Sequence, residues 1–189
     1  MSKLDIVGFC GSLRARSFNR MALNLAGQSM PDSMRMEFVD WRGVPIFDAD
    51  VFAKGFPPAV QSIRERIRRA DAVVIATPEY NFSTPGGFKN LLDWVSRGDD
   101  QPFAFKPVAL LSASTGPVGG ARVQYDLRKT MLFMNAMTLA KPEVFIGMAG
   151  TKFDDQGTCT DEATRKFVAA QMTALEKWIR SVKAMAAAG

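Results

Sequence analysis

Histidine is absent from all 189 residues. That removes Ser-His and Cys-His nucleophilic mechanisms and the common zinc sites. Cysteine is nearly absent. Cys10 ends an apolar run and Cys159 lies in a polar stretch, with no spacing that suggests a disulfide or a metal site. A buried strand cysteine acts most often as a small hydrophobe. An enzyme built on this chain must therefore use carboxylates, tyrosine, lysine or a bound cofactor. No apolar run approaches the ~20 residues that span a bilayer, and the amino terminus, "MSKLDIVGFC", has no leader pattern. A cytoplasmic protein without a membrane partner is expected. GxGxxG is missing, and so is the lysine-bearing P-loop.

What is present is ordinary for a globular chain: 47% hydrophobic and 23% charged residues, with a net charge of +5. The length suits one domain over residues 1–189. The mildly basic balance favours anionic ligands. Its densest cluster, "IRERIRRA", carries Arg64, Arg66, Arg68 and Arg69 around a helix. Without interleaved aromatics it reads as a solvated helix face, not a nucleic-acid patch, so no nucleic-acid partner is expected.

Apolar runs alternate with helical patterns. Strands are expected over residues 5–10, 34–40, 71–78, 107–112 and 143–146. Helices are expected over 18–29, 59–69, 88–98, 121–134 and from 161 to about 185. The run "AVVIA" is continuously apolar, as a strand buried on both faces requires. Five strands alternating with five helices predict an α/β fold, a doubly wound five-stranded parallel sheet with helices on both faces.

In such a sheet, ligands bind beyond the carboxyl ends of the strands. Three loops there are unusual. The first, residues 11–19, holds hydroxyls at Ser12 and Ser17, an amide at Asn19, and charge at Arg14 and Arg16, just before a helix N-terminus. That inventory suits a phosphate monoester. The alternative is an ordinary loop whose Ser17 caps the helix. The second, residues 77–87, holds Glu79, Tyr80, Asn81 and Phe82 between two prolines and suits a flat heteroaromatic ring. The alternative is a turn with an aromatic lid. The third, "SASTGPVGG", allows close approach to the backbone, or is simply a flexible connection.

"GSLRARSFNR" together with "TPEYNFSTPGGFKNLLDW" resembles the NADPH-dependent FMN reductase family of flavodoxin-like proteins, and within it the quinone and chromate reductase branch. The likeness runs on through "GGARVQYDLR" and "KPEVF". It implies non-covalent FMN. Ser12, Arg14, Ser17 and Asn19 would surround its phosphate, with Phe18 contributing backbone. Pro78, Glu79, Tyr80, Asn81 and Phe82 would run along the isoalloxazine ring. Ser114, Thr115 and Gly116 would face the ring or ribityl chain from the other side. The resemblance also implies NADPH or NADH as co-substrate and ping-pong transfer to a small-molecule acceptor: a quinone, free flavin, an azo compound or chromate. The flavin carries the redox chemistry, so neither a catalytic side chain nor a metal is expected. Members form homodimers or homotetramers. Trp94, Arg122, Tyr125 and Arg128 are candidates for such an interface, with Glu143 pairing with one of these arginines across it; the alternative is an ordinary surface ion pair. Two other readings remain. One is a flavodoxin-type electron carrier, which the sequence pI of about 9.4 disfavours. The other is a phosphate-ligand sensor without turnover.

Overall fold

The computed structural model describes residues 3–188. The chain runs β1 (Leu4–Cys10), α1 (Phe18–Gln28), β2 (Met34–Val39), α2 (Ala49–Phe52), α3 (Pro58–Arg69), β3 (Ala72–Ala76), α4 (Gly86–Val95), β4 (Pro107–Ala113), α5 (Ala121–Phe133), β5 (Met137–Thr138), β6 (Val144–Ile146), a 3-10 turn at Ala149–Thr151, and α6 (Glu162–Ala188). The strands pair in parallel in the order β2-β1-β3-β4-β5, with β6 also on β4. Strand order reverses between β1 and β3, so a crevice opens beyond Cys10 and Ala76.

Side-chain alternation divides the core. Ala72, Val74 and Ala76 face one side of β3, where they meet Leu23 and Ala26 of α1 and Met172, Leu175 and Ile179 of α6. Val73 and Ile75 face the other side, against Ile67 of α3, Phe88 and Leu91 of α4, and Leu127 and Met131 of α5. This is why "AVVIA" carries no polar position. Each of its large side chains, fully buried, contributes about 1.5–3 kcal/mol.

The fifth sheet position departs from expectation. It is filled by two short pieces. β5 pairs with the start of β4, Val108 opposite Thr138, and β6 pairs with its end, Leu111 opposite Val144. Between them the chain leaves the ladder. Gln171 of α6 fills the break: its Nε2 donates to Leu110 O and Pro142 O, both at 2.9 Å. A side-chain amide thus replaces a missing strand bond. The four-residue α2 was also not expected.

The basic cluster is a correction. Arg64 is not solvated but fully buried. Its guanidinium donates to the carbonyls of Val95, Arg97 and Asp100 and to the Asp100 carboxylate, with Phe56 stacked 4.2 Å away. Arg68 reaches the same carboxylate, and Arg66 pairs with Glu37 at 3.1 Å. Burial pushes the Arg64 pKa down, with Asp100 opposing that shift. Arg64 therefore fastens α3 to the chain leaving α4. Arg64→Met should lower unfolding free energy by about 2–4 kcal/mol, because buried carbonyls lose their donor. Arg66→Ala should cost about 1 kcal/mol or less. Urea titration of the two variants checks the contrast.

Candidate functional site

The first loop begins where β1 and β3 stay bonded past their ends: Gly11 N–H donates to Ala76 O at 2.8 Å. Ser12 Oγ accepts from Arg14 N–H at 3.3 Å. Ser17 is extended and caps α1, its Oγ accepting from Arg20 N–H at 3.4 Å. The loop therefore closes over the N-terminus of α1, where the N–H groups of Phe18 and Asn19 have no partner within the helix. Phe18 packs beside Phe153. Arg14 is exposed at the loop. Arg16 turns away to Asp155, 2.9 Å off, on open surface.

Asn19 has a different partner from the one expected. Its Nδ2 donates to Ala113 O and its Oδ1 accepts from Ala113 N–H, both at 2.9 Å and buried. The side chain ties α1 to the end of β4. What Asn19 offers a phosphate is its backbone N–H at the helix start, where the helix dipole favours an anion.

The second loop leaves β3 through Thr77 and Pro78 and makes a two-residue hairpin. Tyr80 and Ser83 exchange backbone bonds of 3.1 and 3.0 Å. Asn81 and Phe82, at φ 51° and 65°, both occupy the left-handed region, the geometry of a type I′ turn. Asparagine tolerates it. A bulky side chain there costs about 1–3 kcal/mol, which the surroundings must offset. The turn holds the rings of Tyr80 and Phe82 in the open, 53% and 69% exposed.

Glu79 is engaged by α5. Its carboxylate accepts from Arg122 N–H at 3.0 Å, Val123 N–H at 3.2 Å and Arg122 Nη1 at 3.2 Å. It thereby caps α5, whose own N-cap residue, Gly120, has no side chain to do so. Asp126 answers from α5, accepting from the Ser83 hydroxyl, Thr84 N–H and Thr84 Oγ1. The Ser83 bond foremost, then Lys129 at 3.1 Å and the Thr84 N–H, lower its pKa to about 2. Sequence reading did not single out Asp126 and treated Arg122 as an interface residue. Nothing local marks a pairing across 43 positions.

The third loop is pinned, not a flexible connection. Ser114 N–H donates to Ile146 O at 3.0 Å, Ser114 Oγ to Gly116 O at 3.1 Å, Met148 N–H to Gly116 O, and Ala149 N–H to Ser114 O. A β-carbon on Gly147 would lie 2.3 Å from Pro117 O, so the two segments touch backbone to backbone. Thr115 is exposed, and Ser114 and Gly116 are half-buried.

Two interface expectations change. Trp94 is fully buried and donates to Pro45 O at 2.9 Å. Glu143 lies 3.8 Å from Arg128 and 2.6 Å from Lys141 within the same chain. Both cysteines are free and buried, and burial pushes the Cys159 thiol pKa up. Among the described residues no acidic, histidine or cysteine cluster has the makings of a metal site, and no helix is long and apolar enough to cross a membrane. A cleft of about 430 Å³ lies far from the three loops, beside the first residues of β1 and β2. There Arg35 pairs with Asp5, and Arg66 with Glu37.

A helix N-terminus ringed by hydroxyls, beside an exposed aromatic turn, fits a phosphate carried on a flat ring. Residues 4–151 match the family model described as NADPH-dependent FMN reductase. The chain belongs to that family. It is 46% identical over 180 residues to the NAD(P)H-dependent FMN reductase of Pseudomonas aeruginosa, covering 95% of this chain and 97% of that protein. It is 45% identical over 184 residues to a quinone reductase of Escherichia coli, covering 96% and 98%. Among solved structures, the flavoenzyme NAD(P)H:(acceptor) oxidoreductase FerB of Paracoccus denitrificans aligns with TM-score 0.86 at 30% identity, over 94% of this chain and 98% of that one. The chain is thus a flavodoxin-like oxidoreductase with FMN as cofactor and NAD(P)H as co-substrate.

In this FMN reductase, Asn19→Ala should lower stability by about 2–4 kcal/mol, since it leaves a buried N–H and C=O unpaired. Thermal melts check it. Asp126 has a depressed folded pKa, so its contribution is complete above its unfolded value near 3.8 and is lost as pH falls toward about 2. The melting-temperature gap between the native protein and Asp126→Asn should therefore be constant from about pH 5 to 8 and close toward about pH 2.

Proposed function

We propose that this reductase passes electrons from NADPH or NADH, through FMN, to quinones, free flavin, azo compounds or chromate in ping-pong order. The observation that carries the reading is the convergence of three fixed loops at the reversal of strand order. One bears hydroxyl and N–H donors at a helix N-terminus, and another bears two exposed rings. The names of its relatives, FMN reductase and quinone reductase, support the same class.

Ser12, Arg14, Ser17 and the backbone of Phe18 and Asn19 would hold the phosphate. Pro78, Glu79, Tyr80, Asn81 and Phe82 would border the ring, chiefly through backbone in the case of Glu79. Ser114, Thr115 and Gly116 would close the other side. FMN when bound supplies the redox chemistry, taking reducing equivalents from NAD(P)H and giving them to the acceptor. The chain's own part is to bind, to orient and to keep the slot open to flat molecules. No side chain at the loops is required to carry a proton, in keeping with a chain free of histidine.

The reading extends to quaternary state and place. Tyr125, Leu132 and Phe133 leave apolar surface on one side of α5, which supports a homodimer or homotetramer. The two free thiols suit the cytoplasm.

Reconstituted with FMN and mixed anaerobically with NADPH or NADH, the protein should lose its visible flavin absorbance and regain it on adding a quinone. Double-reciprocal plots at several quinone concentrations should be parallel. Failure of both nicotinamides to reduce FMN-saturated protein would return the chain to the electron-carrier reading. Arg14→Ala should raise the FMN dissociation constant about tenfold or more, through loss of a charge-assisted phosphate contact.

A further inference from the structure

The aromatic tip of the second loop does not hold itself. Within the turn only the Tyr80–Ser83 backbone pair closes it, while Asn81 and Phe82 keep positive φ. The remaining restraint comes from α5. Asp126 secures the outgoing arm at Ser83 and Thr84. Arg122 secures the incoming arm and the tip together. Its Nη1 donates to Glu79 Oε1 at 3.2 Å, and its Cζ lies 4.4 Å from the centre of the Phe82 ring. Glu79 is largely buried at this contact, while Arg122 is half exposed.

A guanidinium is suited to both contacts at once. Its edge presents N–H groups to a carboxylate while its flat face covers an aromatic ring. Its charge is matched by Glu79, so it adds little net charge to the slot. Its effect is geometric: it fixes where Phe82 stands relative to the backbone of residues 79–81.

We propose that Arg122 is a positioning residue for the flavin ring. It would hold Phe82 and Glu79 in register, so that the backbone of residues 78–82 keeps the shape that borders the isoalloxazine. The proposal rests on the reading of this loop as the ring-binding one. It differs from an anion-binding role for the same arginine, because it acts on the ring and not on the phosphate.

The test is titration of the apoprotein with FMN and, separately, with riboflavin, which carries the same ring without the phosphate. Flavin fluorescence quenching reads both. Arg122→Ala should raise the dissociation constants for FMN and riboflavin by a similar factor, about tenfold, from loss of one cation–π contact and one charged hydrogen bond. Arg122→Lys, which can keep the ion pair but not the flat stacking, should recover only part of that loss. Lys129→Ala, which breaks an exposed pair with Asp126, should leave both constants within about twofold of the native values. The visible flavin band of Arg122→Ala saturated with FMN should shift relative to the native protein, since the ring edge meets a loosened loop. Unchanged affinities in Arg122→Ala would overturn the proposal. So would a loss for FMN without one for riboflavin, or a loss in Lys129→Ala as large as in Arg122→Ala. Native protein that binds neither flavin would instead overturn the functional reading on which the proposal stands.

Discussion

A β-carbon on Gly11 would lie 2.2 Å from Thr77 Oγ1. No side chain fits there, so β1 and β3 finish closer together than any other residue at position 11 would permit. The Gly11–Ala76 bond extends the pairing one step past the strands. From that pinch the two following loops diverge, one into the N-terminus of α1 and the other into the aromatic hairpin. The sheet reverses its order at the same place. One missing methyl group thus sets how near the phosphate-type donors and the exposed rings stand to each other. The third loop is brought to them by Asn19, whose side chain joins α1 to the end of β4.

Carboxylates do structural duty around this edge. Glu79 caps a helix from 43 residues away, and Asp126 returns the favour by holding the hairpin that follows Glu79. The start of α5 and the arm of the hairpin each take a carboxylate from the other's element. Glu79, Asp126 and the Asn19 side chain are thus already partnered, which leaves backbone N–H groups, hydroxyls, the Arg14 guanidinium and aromatic faces for a ligand. That is the inventory a cofactor-dependent reductase needs when the cofactor performs the reaction.

Local chemistry was legible in the sequence and distant pairing was not. Continuous apolar runs revealed β1, β3 and β4, because burial on both faces leaves no room for polar residues. The two loop motifs pointed to the family that the comparisons show, and Ser17 was readable as a cap. Three features had no local signature. The two-residue β5 is too short for periodicity. Arg64 looks like its solvated neighbours Arg66 and Arg68, and the carbonyls of Val95, Arg97 and Asp100 with the Asp100 carboxylate, brought in from the end of α4 and the chain beyond it, make its burial tolerable. Phe82 in a left-handed turn runs against its own preference, so propensity alone argues against the conformation it adopts.

The family match ends at residue 151, before α6 begins. Yet Gln171 of α6 closes the gap in the outer strand by bonding Leu110 and Pro142, and β6 just beyond that gap anchors Ser114 through Ile146. During synthesis every strand emerges before the residue that seals the sheet's border. The border strand beside the third loop is therefore sealed only once the last helix has docked, so a segment beyond the family match completes the edge where the three loops gather.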